Sequence, residues 1–292
     1  MMADSNLVKS PDGTPAEILH FYAEAGVDCL LEDVPVDRFV TPSVPAEPRR
    51  RETRQQPASA PAPAERRSPP PAAPSASPAT ATVPDEAAIT DARETARNAP
   101  TIDALQQALA SFNSCNLRFG ARSTVFADGN PEANVMFIGE APGRDEDRQG
   151  LPFVGRAGQL LDRMLSAIGL DRTSCYITNM IPWRPPGNRS PTPLEIELCR
   201  PFIERHVELV NPQTVVLLGN VSTKALLGTT RGILSLRGTW SQYHPNNDMT
   251  IPALPTLHPA YLLRNPAQKK LSWLDFLSLR AHLDQSDGTA SD

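Results

Sequence analysis

The sequence predicts an α/β fold in three layers, with helices covering both faces of a mostly parallel sheet. Two observations carry that prediction: short apolar runs recur after residue 130, and amphipathic helical patterns alternate with them. A third bounds the fold, since 12 of the 44 residues from Thr41 to Pro84 are proline and no aromatic residue stands between Phe39 and Phe112. Such a stretch cannot bury enough apolar surface to offset the entropy lost on folding. A disordered tail therefore precedes the folded part.

The elements follow in order. In the tail, Thr14, Pro15 and Glu17 supply an N-cap, a first-turn proline and a capping-box glutamate. Ile18, Tyr22, Ala25 and Cys29 then recur at helical spacing, predicting a short amphipathic helix over about 15–32 within a tail of residues 1–40. That helix is read either as a segment that docks on its own chain or frays, or as a docking peptide for a protein partner. Residues 41–98 read as a disordered Pro/Ala-rich linker, extended and polyproline-like. The domain proper is expected over 99–286, with a disordered C-terminus at 287–292.

Within it, Ile102, Leu105, Leu109 and Phe112 mark a helix. Asn134 to Gly139 is a buried strand ending in glycine, and Leu160 to Ile168 continues a helix. Cys175 to Thr178 is a second strand and Thr214 to Leu218 a third. Thr192 to Val210 is a long helix with Pro193 in its first turn. In such a sheet ligands sit beyond the carboxyl ends of the strands. Gly139, Glu140, Asn179 and the segment around His258 thus share one rim. His206 is read as part of a helix surface.

Composition removes several classes. No run of about 18 apolar residues predicts a membrane span. Residues 1–10 lack a secretory pattern, and four irregularly placed cysteines are no disulfide framework. The expected setting is reducing and cytoplasmic. The net charge of −5 lies wholly in residues 1–98, with 10 basic and 15 acidic side chains, whereas residues 99–292 hold 18 of each.

The most informative block runs Gly139-Glu140-Ala141-Pro142-Gly143-Arg144-Asp145-Glu146-Asp147, then Gly150-Leu151-Pro152-Phe153-Val154-Gly155-Arg156-Ala157-Gly158. Its glycines let backbone approach a ligand closely. It lacks the Gly-Lys-Ser/Thr of a phosphate-binding loop and the glycine spacing of a dinucleotide fingerprint. A solvated acidic turn is the plain alternative.

The block resembles the first motif of the family 4 uracil-DNA glycosylases. The resemblance continues in register through Tyr176 to Asn179, Arg184 to Arg189, Leu217 to Gly219, Leu236 to Trp240 and Leu257 to Arg264, over roughly 101–284. It implies a central, mostly parallel four-stranded sheet. It also implies a monofunctional enzyme that flips uracil out of single- or double-stranded DNA, hydrolyses the C1′–N1 bond and leaves an abasic site. A monomer associated with the nucleoid is expected.

The resemblance assigns roles. Phe153 is the stacking platform, with a core residue as its plain alternative. Asn179 reads the uracil N3–H and O4, where the alternative is a strand-end turn residue. Gly139 and Ala141 border the base, and the Ala141 N–H assists at its oxygen. His258 donates to O2 of the leaving base. Relatives from other families carry an aspartate where Ala141 stands, so Glu140 is the first choice for orienting water and stabilising the cationic sugar. Glu146 and Asp147 are second choices, and Glu146 is also a candidate for crowding C5 against thymine. Arg184, Asn188, Arg189, Arg264, Lys269 and Lys270 are DNA contacts, the two lysines serving equally well as solubilising charge. Ala260, Tyr261, Leu262 and Leu263 form the segment that fills the gap left by the flipped base.

The family's 4Fe–4S cluster is where the chain departs. Its four cysteine positions fall here on Phe112, Cys115, Trp183 and Cys199. A cubane needs four thiolates, so no cofactor is expected and the former ligand site becomes core. A partial cluster rescued by Cys175 or a non-thiolate ligand is the alternative. For function, the rivals are a non-catalytic DNA-damage binding or scaffold protein and a glycosylase for another base such as hypoxanthine.

Overall fold

The computed structural model describes residues 86–289. The predicted helix over about 15–32 and the linker as far as 85 lie outside these residues. The linker was expected to run to 98, yet a helix, α1 (Glu86–Arg97), occupies its last part. Ala92 and Ala96 are buried on its inner face, with Ala88 and Ile89 packed beside them. Four small apolar side chains at helical spacing form a face that reads as linker composition when only alanine and proline are counted.

Then follow α2 (Ile102–Ser111), α3 (Leu117–Gly120), β1 (Ala127–Gly129), β2 (Val135–Gly139), α4 (Arg144–Gln149), α5 (Arg156–Ser166) and β3 (Tyr176–Asn179). After a single 3₁₀ turn come α6 (Pro193–Val210), β4 (Thr214–Leu218), α7 (Asn220–Leu227), α8 (Ile233–Leu236), β5 (Ser241–Tyr243), β6 (Ile251–Thr256), α9 (Pro259–Arg264) and α10 (Lys269–Thr289). Thr192 caps α6 as its sequence suggests, accepting from the Glu195 N–H. The last helix reaches Thr289, past the expected boundary at 286. None of the described helices is long and apolar enough to cross a membrane.

Among the described residues the strands form one sheet of six in the order β1-β3-β2-β4-β6-β5, two more than the expected four. The four central strands β3, β2, β4 and β6 are parallel, and β1 and β5 add antiparallel edges. Each edge strand is three residues long, too short to show an alternating pattern. Strand β6 contains Pro252 and Pro255, which disguise it in the sequence.

Alternation of side chains across the strands generates two cores. Met136, Ile138, Val215, Leu217 and Ala253 face α1, α2 and α6. Val135, Phe137, Ile177, Val216, Leu218 and Leu254 face α5 and α10. His206 belongs to the first core rather than to a surface. It is 3% exposed, stacks on Phe126 with centroids 4.3 Å apart and shares a 2.9 Å hydrogen bond with the Tyr176 hydroxyl. Burial holds its pKa down to about 3.

Candidate active site

Register brings the strand ends level: Gly139 lies opposite Asn179, and Leu218 opposite Thr256. A cavity of about 560 Å³ opens beyond them, walled by Glu140, Ala141, Phe153, Asn179, His258 and Arg264 among others. Gly139, expected to border the base, does not itself line the cavity but lies behind Asn179 and Phe153, which do. A methyl group there would lie 2.3 Å from Asn179 Oδ1 and 2.6 Å from Phe153 Cζ, so only glycine lets ring and amide meet over the strand end.

Asn179 is 5% exposed, and neither its Oδ1 nor its Nδ2 has a hydrogen-bond partner among the described residues. Leaving a buried donor or acceptor unpaired costs about 1–3 kcal/mol. An amide orphaned at both ends on a cavity wall is therefore poised for a ligand presenting a donor and an acceptor side by side.

Phe153 is held in a costly conformation. Its φ is +54°, a left-handed value that non-glycine residues avoid at about 1–2 kcal/mol. The loop is fixed by Arg172, whose guanidinium donates to the Phe153 and Pro152 carbonyls while pairing with Asp128 and Asp162 at 2.6 and 2.9 Å. Gly158 completes the clamp, since a Cβ there would stand 1.6 Å from the Phe153 carbonyl oxygen. The ring lies roughly parallel to that of His258, with centroids 5.5 Å apart and planes at 27°.

His258 caps α9, its Nδ1 accepting from the Ala260 N–H at 3.1 Å. That bond leaves the proton of the neutral ring on Nε2, a donor. Burial, aided by the charge on Arg264, lowers the pKa to about 4, so the ring is neutral at pH 7. Gly219, with φ of +94°, lets the imidazole close on β4, because a Cβ there would lie 2.9 Å from His258 Cβ.

The carboxylates separate by environment. Glu140 lines the cavity, and burial raises its pKa, with Ser190 and Arg264 opposing the rise. Glu146 also reaches the wall, but it accepts from the N–H groups of Gly143, Val154 and Gly155 at 3.1, 3.1 and 2.9 Å. It thereby organises the loop between α4 and α5. Asp147 accepts from the Arg122 and Ser123 N–H groups and does not line the cavity.

The expected DNA contacts divide too. Arg264 is exposed on the cavity wall. Arg184 donates to Asn188 Oδ1 at 2.7 Å, stiffening the rim around Asn188, whose φ is +56°. Arg189 is engaged by both oxygens of Glu195, at 2.6 and 2.8 Å, and so braces the start of α6. Lys269 and Lys270 are exposed at the start of α10, away from the cavity wall. In the expected gap-filling segment, Leu262 is only 1% exposed and packs with Leu160 and Leu257. Asn220, Ser190 and Leu234 also line the cavity and were missed in the sequence. Asn220 was findable, since it follows the β4 glycine as Glu140 follows that of β2.

The four positions of the family's cluster meet in one core, all buried. Phe112 packs edge-on against Phe202 with centroids 5.0 Å apart, and the Trp183 indole N–H donates to Thr124 Oγ1 at 3.0 Å. Hydrogen bonding between the thiols pushes Cys115 below and Cys199 above the usual thiol range. Among the described residues no three His, Cys, Asp or Glu side chains are grouped to hold a metal. Two aromatic rings and two thiols do not fit a four-thiolate cluster.

Comparison with known proteins agrees with this geometry. Residues 126–277 match the family described as the Uracil DNA glycosylase superfamily. The Type-4 uracil-DNA glycosylase of Sulfurisphaera tokodaii is 37% identical over 185 residues, covering 62% of this chain and 84% of that relative. That of Saccharolobus solfataricus is 37% identical over 190 residues, covering 62% and 86%. That of Thermotoga maritima is 38% identical over 153 residues, covering 52% and 78%. With the family model matching more than half of the chain and these relatives covered over most of their length, the chain belongs to the uracil DNA glycosylase superfamily.

Proposed function

We propose that this chain is a monofunctional uracil-DNA glycosylase of base-excision repair, releasing uracil by hydrolysis and leaving an abasic site. The observation that carries the reading is Asn179. Its amide, unpaired at both ends and set beside the Phe153 ring, matches the N3–H donor and O4 acceptor that uracil presents together. Cytosine reverses both, with an acceptor at N3 and a donor at N4, and leaves an amide held in this orientation mismatched, a penalty far larger than the loss of one apolar contact.

The remaining groups act on the bond. The uracil stacks on Phe153 once extruded from the helix. As the C1′–N1 bond breaks, its electron pair moves onto the base, and the His258 Nε2–H meets the charge growing on O2. A fixed donor of this kind is worth about 3–4 kcal/mol to a transition state. Water adds to C1′ from the side of Glu140, whose carboxylate stabilises the cationic sugar and takes the proton that water loses. Burial raises the pKa of Glu140, which makes it a better proton acceptor.

No cofactor enters this reaction, and the aromatic pair Phe112 and Trp183 does for the core what a cluster does for relatives. Purified protein is then colourless and free of stoichiometric iron and sulfide. The enzyme acts as a cytoplasmic, nucleoid-associated monomer on single- and double-stranded DNA, and the segment over about 15–32 docks a protein partner. The central test incubates the full chain with oligonucleotides holding U:G, U:A, single-stranded U or hypoxanthine and looks for alkali-labile cleavage. Cleavage at uracil, lost in Asn179→Ala, is expected. Binding without cleavage of any substrate would favour a scaffold instead, and cleavage at hypoxanthine alone would reassign the base.

A further inference from the structure

We propose that Asp275 is a positioning residue for the reaction: clamped between Arg237 and Thr256, it fixes the carboxyl end of β6 and with it the His258 ring on the cavity wall. The inference rests on the reading of His258 as the leaving-group donor and adds to it the groups that hold that donor in place. It also gives a task to the motif from Leu236 to Trp240, none of whose residues lines the cavity. Asp275 does not line it either, so its influence reaches the site through the main chain.

Asp275 stands on α10 and is 1% exposed. Its Oδ2 accepts from the Thr256 hydroxyl at 2.6 Å and from Arg237 Nε at 3.0 Å, while its Oδ1 accepts from Arg237 Nη2. The same guanidinium donates to the Leu271 carbonyl at 2.7 Å, which ties the turn after α8 to α10. Gly238, with φ of +72°, lets that turn lie against the carboxylate, since a Cβ there would come within 2.6 Å of Asp275 Oδ1. The Gly238 N–H donates to the Pro255 carbonyl at 2.9 Å. Thr256, the last residue of β6, is thus gripped twice, by its hydroxyl and by its carbonyl, which accepts from the Gly219 N–H at 2.9 Å. His258 follows two positions later, close against Gly219.

A buried ion pair is a poor means of gaining stability. Desolvation consumes most of the attraction, and apolar residues of like volume often do as well or better. What the pair supplies is direction. Apolar contacts between α10 and β6 would tolerate a slide of the strand end, whereas three hydrogen bonds to one carboxylate do not. A donor to a developing oxyanion works only at hydrogen-bond distance from the place that atom will occupy, and the groups behind the donor set that distance. The Ala260 N–H fixes the tilt of the His258 ring locally. Where the ring stands follows from where β6 ends, and that is settled by Asp275.

The test begins with Thr256→Val in the full chain, which removes the hydroxyl at nearly constant shape and leaves Asp275 its arginine. Single-turnover uracil release is expected to fall about tenfold while DNA affinity, by anisotropy, stays within about twofold, and Thr256→Ser should restore the rate. Replacing the pair by Arg237→Met with Asp275→Leu should keep or raise the melting temperature yet slow release about 100-fold. Where that double change costs stability, Thr256→Val alone decides. The deciding readout is a double-mutant cycle. In a His258→Ala background neither change should cost more than about twofold, because groups that act through one residue lose their effect with it. Substrate carrying 5-fluorouracil, a better leaving group, should narrow the deficit of Thr256→Val as it narrows that of His258→Ala. A Thr256→Val protein as fast as the unaltered chain would overturn the proposal. So would losses of equal factor with and without His258, the mark of a purely structural pair. A normal rate in His258→Ala would defeat the donor assignment and the proposal with it. Failure of the unaltered chain to release uracil would instead defeat the glycosylase reading itself.

Discussion

Adding one methyl group at Gly139 should abolish most activity without unfolding the protein. The new carbon would stand 2.3 Å from Asn179 Oδ1 and 2.6 and 2.8 Å from two ring carbons of Phe153, where 3.4 Å is an ordinary contact. One or both groups must therefore retreat by about 1 Å. Phe153 is poorly able to yield, because its φ of +54° is locked by Arg172 and by the close approach of Gly158. The amide of Asn179 must then swing away from the position in which it reads a base. A misplacement of about 1 Å is worth roughly 100-fold in rate. Overpacking costs about 1–3 kcal/mol of stability, which most domains survive. The Gly139 backbone is outside the left-handed region, so no main-chain strain confuses the result. Gly120→Ala is the matched control, since a methyl there meets nothing within 4 Å. Single-turnover uracil release, with melting curves for both variants, gives the answer. A folded Gly139→Ala protein within about threefold of the unaltered rate would refute the idea that ring and amide form one rigid reader.

Other predictions follow from the same geometry. His258→Ala should lower the chemical step by about 10²–10³ while uracil-DNA affinity changes little, as measured by single-turnover rates and anisotropy. Glu140→Gln should lose about 10²–10⁴ in rate. It should also lose the acid limb of the pH–rate profile, which in the unaltered enzyme falls as pH drops through the raised pKa of that carboxyl. His206 is neutral when folded down to about pH 3, whereas the unfolded ring gains a proton near 6.5. Its contribution is therefore complete above pH 6.5 and erodes as pH falls toward 3. Between pH 7 and 4.5 it accounts for about 3 kcal/mol of stability loss, which His206→Phe in a Tyr176→Phe background should remove from urea titrations. Arg264→Ala should reduce the salt dependence of DNA binding by about one ion, and Arg189→Ala should not, because Arg189 is held by Glu195.

What could be read from the sequence follows a physical divide. The central strands were legible at β2, β3 and β4 because buried parallel strands are continuous apolar runs, and α6 announced itself with Thr192, Pro193 and Glu195. The edge strands were not, because three residues carry no period, and β6 was hidden by its prolines. Helix α1 was lost because its buried face is mostly alanine in a proline-rich neighbourhood. In the site, Glu140, Phe153, Asn179 and His258 were named from motif likeness and do share one cavity. What motif likeness could not sort was which charges are already engaged. Glu146, Asp147 and Arg189 look available as letters, yet each is held by main-chain N–H groups or a facing carboxylate.

The order of the sheet has a consequence for how the enzyme comes into being. Gly139, Asn179, Gly219 and His258 close the ends of four parallel strands and stand forty, forty and thirty-nine positions apart in the chain. No fragment ending before His258 contains the proposed leaving-group donor, and no pair of neighbouring strands carries both Asn179 and His258. During synthesis the chain must stay silent until its last parallel strand has left the ribosome and paired, a non-local event that comes late. Uracil release at the full rate thus reports that the sheet has closed.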